Sequence, residues 1–89
     1  MSAAISFHLP EQVVLGPFRL DRPVVTGRGR EADLVIPHLG ISRRHCLIQP
    51  AEYGAEVEDL GSSNGIVFQG ETVTRARVAA GEEFRMGQT

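Results

Sequence analysis

Short apolar runs alternate with glycine, proline and polar clusters along almost the whole chain. Val13-Val14-Leu15 meets Gly16-Pro17, and Phe18 to Leu20 runs into Asp21-Arg22-Pro23. Val24-Val25-Thr26 stops at Gly27, Leu34-Val35-Ile36 at Pro37, and His45 to Ile48 just short of Pro50. Ala55 to Leu60 alternates in the period of two expected of a half-buried strand and ends at Gly61. Ile66 to Phe68 and Glu71 to Val73 flank Gln69-Gly70, the pattern of a tight hairpin in which glycine supplies a positive φ. Glu83 to Met86 ends at Gly87. Val73 to Ala80 is the best helix candidate, but it lacks an N-cap and stops at Gly81, so it is read as loop and strand. The pattern predicts an all-β fold, a two-sheet β-sandwich of about ten or eleven strands with its loops gathered at the two ends.

Size and charge narrow the function. At 89 residues the chain is read as one domain, with little room for both a scaffold and a deep catalytic cleft. No apolar run approaches the roughly 20 residues of a membrane span, and Met1 to His8 lacks the basic and apolar regions of a signal peptide. Cys46 is the sole cysteine, so no internal disulfide can form, and with three scattered histidines it makes a poor zinc set. A cytoplasmic setting follows as the default expectation. The net charge of −2 argues against a general nucleic-acid binder. All nine basic residues are arginine, and Arg28, Arg30, Arg43 and Arg44 form two pairs beside loop signals. The planar guanidinium fork suits phosphate oxygens better than a lysine point charge does, so a small anionic target fits this mildly acidic chain.

Three loop segments carry the candidate chemistry: Thr26-Gly27-Arg28-Gly29-Arg30, Gly40-Ile41-Ser42-Arg43-Arg44-His45 and Leu60-Gly61-Ser62-Ser63-Asn64-Gly65. In order and spacing, Gly27-Arg28, Ser42 to His45 and Asn64-Gly65 resemble the signature of the forkhead-associated (FHA) family. Ala32 to Pro37, Glu58 to Gly65 and Ala80 to Gly87 also look like the family's connecting segments, so the resemblance covers about residues 18–87. It implies an FHA-type sandwich, read as a module within a longer protein, that binds phosphothreonine-containing segments in Ser/Thr-kinase signalling. By resemblance Arg28, Ser42 and Arg43 contact the phosphate, Asn64 pairs with the ligand main chain, and Ser63 helps hold the phosphate or its loop. Gly27, His45 and Gly65 are expected to be structural, with His45 braced against the loop of Ser42. Cys46 is expected to be a small core residue. No metal or cofactor, nucleic acid or membrane contact is expected.

Two sharper readings fail on chemistry. A catalytic Ser42–His45 pair needs an orienting group and an oxyanion hole, and neither has a sequence signal, so the chain is read as a binding module and not an enzyme. Gly27 to Ala32 matches a dinucleotide loop in spelling, yet strand residues follow where a helix must start. The competing reading is a degenerate FHA scaffold for phosphate-independent contacts. Ile66 and Gln69 favour it, standing where the family usually has threonine and asparagine. Retention of Arg28, Ser42, Arg43 and Asn64 favours phosphate binding. The family also continues past a segment like Met86-Gly87 into a last strand beside the first, whereas here only Gln88 and Thr89 follow. A missing strand would open an edge and invite an edge-paired or strand-exchanged dimer.

Overall fold

The structure is a computed structural model that describes residues 3–9 and 13–87. Met1, Ser2, Gln88 and Thr89 lie outside the described residues, so the expectations placed on the two termini rest on sequence there. Ten strands form: β1 (Ala3–Leu9), β2 (Val13–Leu20), β3 (Val24–Gly27), β4 (Leu34–Val35), β5 (Cys46–Ala51), β6 (Gly54–Asp59), β7 (Ile66–Phe68), β8 (Glu71–Val73), β9 (Arg75–Ala79) and β10 (Glu83–Met86). One sheet has the order β2-β1-β10-β7-β8 and the other β4-β3-β5-β6-β9. The all-β sandwich expected from the periodicity is therefore the observed fold, and the weak helix candidate contributes strand β9. Its exposed Arg75 and Arg77 alternate with buried Ala76 and Val78.

The inward faces supply the core. Phe7, Ile41, Ile48, Val57, Ile66, Val78, Phe84 and Met86 are each almost fully buried. Phe7 and Phe84 face each other across the parallel β1–β10 pair with ring centroids 5.5 Å apart. Cys46 is fully buried beside Thr26 and Met86, and the threonine hydroxyl lies 3.1 Å from the cysteine sulfur. Burial pushes the Cys46 thiol up from 9.0 to about 12; the Thr26 hydrogen bond opposes this and the charge of Asp59 adds to it.

Three local features depart from the punctuation of the sequence. Strand β2 runs straight through Gly16-Pro17, because the register against β1 slips from Ile5↔Phe18 to Phe7↔Leu15. That slip is a bulge of one extra residue, with Gly16 at φ 115°, and β2 is a sheet edge where proline removes no ladder bond. Strand β5 likewise passes Pro50 to Ala51, since β3 pairs with it only from Cys46 to Ile48 and leaves that side free beyond. The β7–β8 turn has Gln69 at φ 53° as well as Gly70 at φ 82°, so glutamine occupies a left-handed position that glycine or asparagine tolerates better. The first strand has a partner on each side, β2 and β10, and the open edges of the described sheets are β2, β8, β4 and β9.

Two predictions come from these features. Gln69→Asn relieves the left-handed strain and raises stability by roughly 0.5–1 kcal/mol, measured as a higher urea midpoint at unchanged slope. For Cys46, the folded state keeps between pH 9.0 and about 12 a proton that the unfolded chain has lost. Stability from this group is present below pH 9.0 and falls as pH rises through that window. The fall of melting temperature with pH above 9.0 is expected to be shallower in Cys46→Ala than in the parent.

Candidate functional site

Three loops converge at one end of the sandwich: residues 28–33 after β3, residues 36–45 before β5, and residues 60–65 between β6 and β7. The first two are zipped together by backbone bonds, Arg28 N–H to Ser42 O at 2.8 Å and Gly29 N–H to Arg43 O at 3.0 Å. A Cβ on Gly27 would stand 2.1 Å from Arg43 O, a backbone atom that cannot move aside. Close approach, and not an unusual φ, is why glycine stands there.

The second and third loops are joined through His45, which is fully buried. Its Nδ1 accepts the Ser42 N–H at 3.1 Å, and its Nε2 lies 2.7 Å from Gly65 O. A backbone N–H can only donate and a carbonyl can only accept, so the ring proton sits on Nε2. Two more bonds cross the same gap. Ser63 N–H donates to Ser42 Oγ at 3.0 Å, and Asn64 Nδ2 donates to Gly40 O at 2.9 Å.

The third loop is shaped by two residues to which sequence reasoning gave no role. The Asp59 carboxylate accepts Gly61 N–H and Ser62 N–H at 3.2 Å each, and also the Ser62 hydroxyl. Ser62 Oγ in turn accepts Gly65 N–H at 2.8 Å, with Gly65 at φ 72°. The signal was present in Asp59-Leu60-Gly61-Ser62, an Asx-turn spelling that ends a strand on a side-chain cap.

Groups left over after this internal bonding define what the apex can do. Ser42 Oγ accepts from Ser63, so its own hydroxyl proton is available to an external acceptor. Arg28 Nε donates to Ile41 O at 3.1 Å, which fixes the side chain and leaves the terminal guanidinium nitrogens outward. Arg43 is 71% exposed and reaches Glu31 at 3.5 Å. Asn64 keeps its carbonyl oxygen and one amide hydrogen, a donor–acceptor pair that matches a peptide main chain. Ser63 is exposed beside them. The arrangement offers donors and positive charge to an anion on an open surface. A partly open hollow of about 200 Å³ lies over the outer face of β5, β6 and β9, lined by Leu47, Gln49, Glu56, Glu58 and Arg75. Among the described residues no group of three or more His, Cys, Asp or Glu converges as metal ligands would.

Comparison with known proteins agrees with this geometry. The model of the FHA domain family matches residues 24–87. An oxoglutarate dehydrogenase inhibitor of Corynebacterium diphtheriae is 35% identical over 72 residues, which are 80% of this chain and 50% of that protein. The FHA domain-containing protein FhaA of Mycobacterium tuberculosis is 34% identical over 65 residues, 73% of this chain and 12% of that protein. This chain thus spans half or less of the length of these two relatives. Among solved structures, an FhaA FHA domain complexed with the intracellular domain of another protein superposes with a TM-score of 0.70 at 29% identity, covering 86% of this chain and 82% of that one. An FHA domain studied for phosphothreonine-dependent interactions gives the same score and identity, covering 88% and 79%.

The Asp59 cap generates a stability prediction. Asp59→Ala removes three acceptor contacts from the third loop and is expected to lower stability by about 1.5–3 kcal/mol, read from denaturant unfolding, while Ser63→Ala changes it by less than about 0.5 kcal/mol.

Proposed function

The chain belongs to the FHA domain family, and on that premise we propose that it is a phosphopeptide-binding module for phosphothreonine-containing segments of Ser/Thr-kinase substrates. Arg28, Ser42 and Arg43 hold the phosphate, Asn64 aligns the extended main chain, and Ser63 assists. The observation that carries the reading is the state of Ser42. Its oxygen is held by the Ser63 N–H while its proton is left free, on a loop bonded to that of Arg28 and next to Arg43. A phosphate there would accept one hydroxyl bond and charge-assisted bonds from two guanidinium groups, which are about twice as strong as neutral ones.

Binding and not turnover is the output of this site. Both ring nitrogens of His45 are engaged with backbone groups, so the imidazole is not placed to take a proton from Ser42 Oγ. The partner is a phosphorylated protein met in the cytoplasm, recognised without metal or cofactor. The alternative, a scaffold for phosphate-independent contacts, draws on Glu31 already occupying Arg43. That pair is exposed on both sides, and such pairs contribute only about 0–1 kcal/mol, so a dianionic phosphate displaces the carboxylate.

Calorimetric titration with phosphothreonine peptides and their unphosphorylated twins decides between the two. The expected result is binding that requires the phosphate, weakens with salt, and weakens below the second phosphate pKa of about 6. Arg28→Ala and Ser42→Ala should each lower affinity by roughly 1.5–3 kcal/mol, whereas His45→Ala acts mainly on stability. Equal affinity for phosphorylated and unphosphorylated peptides would establish the scaffold reading instead.

A further inference from the structure

The apex is electrically lopsided. The backbone bonds place the second loop in the middle, with the first loop on one side through Arg28–Ser42 and Gly29–Arg43, and the third on the other through Ser63–Ser42 and Asn64–Gly40. All four arginines of these loops, at positions 28, 30, 43 and 44, belong to the first and second. The third carries no cation, and the Asp59 carboxylate at its base is consumed by its own turn.

Within the cationic flank, two arginines are already committed and two are not. Arg28 is tied to Ile41 O and Arg43 to Glu31. Arg30 is exposed at the tip of the turn closed by Ala32 N–H to Gly29 O at 3.2 Å. Arg44 is exposed directly after Arg43, with its Cα 3.0 Å from where a Gly27 Cβ would stand, so it rises from the seam between the two loops. Among the described residues neither Arg30 nor Arg44 has an ion pair or a side-chain hydrogen bond. The nearby carboxylates do not serve them: Glu31 faces Arg43, and Asp33 accepts the Val25 N–H at 2.9 Å. Two exposed, unpaired arginines thus share the two zipped loops with Arg28 and Arg43. They reach only about a Debye length of 8 Å at physiological salt, so they read residues adjacent to the phosphothreonine and not distant ones.

We propose that Arg30 and Arg44 form a second anion subsite, which takes an acidic or second phosphorylated residue flanking the phosphothreonine on the side of the first loop. The inference rests on the phosphopeptide reading and adds to it a one-sided charge requirement. A carboxylate and a second phosphate share the chemistry that Arg30 and Arg44 recognise, and the dianion should gain more than the monoanion. On the opposite flank the third loop itself carries no cation to favour an acid and offers the Asn64 amide instead, and Arg75 beyond its base is paired with Glu58.

The test uses four phosphothreonine peptides: neutral flanks, glutamates only N-terminal to the phosphoresidue, glutamates only C-terminal, and a second phosphoserine on whichever flank responds. Each is titrated into the parent chain and into the double variant Arg30→Gln/Arg44→Gln. The expected result is a gain of about 3- to 10-fold for acids on one flank, larger for phosphoserine, and lost in the double variant, which binds the neutral-flank peptide as the parent does. Neutral-flank binding with no preference for acids on either side overturns the second subsite and leaves the phosphopeptide function standing. A gain from acids that persists in the double variant overturns it as well, since other cations must then supply the attraction. Failure of every phosphopeptide to bind overturns the function itself, and the subsite with it.

Discussion

One buried imidazole sets the relation between two of the three apical loops. His45 must accept at Nδ1 from the Ser42 N–H and donate at Nε2 to Gly65 O, and both partners are backbone groups. Backbone cannot rotate away as a side chain can, so ring position and loop spacing determine one another. Because the ring is fully buried, an unmet nitrogen or amide there would carry the cost of a desolvated polar group, about 1–3 kcal/mol. The Ser63 to Ser42 and Asn64 to Gly40 bonds form only if that spacing is held. The ligand-facing chemistry is therefore secondary to a scaffold bond beneath it.

The same logic separates, within Ser42-Arg43-Arg44-His45, the residue that turns in from those that turn out. His45 turns in and is fully buried, with its backbone N–H on Thr26 O, and the Thr26 side chain lies in a buried cluster with Cys46 and Met86. Arg43 and Arg44 turn out. Ser42 is half-buried between them, with its N–H and carbonyl spent on the scaffold and its hydroxyl proton unspent. Four consecutive residues thus contain the buried anchor and the groups proposed to meet a ligand. A change at any one of them acts on the other through bonds a few ångströms long.

Much of this was legible because it is local. Period-two runs and glycine or proline breaks locate the strands from β2 onward but not β1, and the three loops fall where polar residues interrupt them. What escaped the sequence depends on who the neighbour is. Proline inside β2 and β5 is harmless only because β2 is an edge and β3 is too short to cover the end of β5. Nothing in Gly16-Pro17 or Pro50 encodes that. The parallel pairing of β1 with β10 joins residues 77 positions apart, and its register, Phe7 opposite Phe84, becomes visible only once both rings share one core. Gln69 misleads for the opposite reason: the hairpin imposes a left-handed φ on a residue with no preference for it. In the site, Asp59 and Ser62 were overlooked because their partners are backbone amides of the same turn, a role that leaves no chemical motif beyond the Asx spelling.

Charge placement links the scaffold to what the apex can recognise. Zipping the first loop to the second requires glycine at position 27, and the close approach brings the backbones of two arginine-bearing segments into contact. Bringing like charges together is unfavourable unless acids are interleaved, and on this side the acids are Glu31, in an exposed pair with Arg43, and Asp33, whose carboxylate accepts the Val25 N–H. The third loop is neutral because residues 60–65 include no ionisable side chain, and the one charge at its base is the Asp59 carboxylate that caps its turn. The asymmetry therefore combines sequence with construction: backbone zipping brings the arginine-bearing loops together on one flank, and the other flank is shaped by an anionic side-chain cap and has no cation in its loop. A ligand that spans the apex meets both halves at once, an anion-seeking side and a hydrogen-bonding side, with Ser42 at the boundary between them.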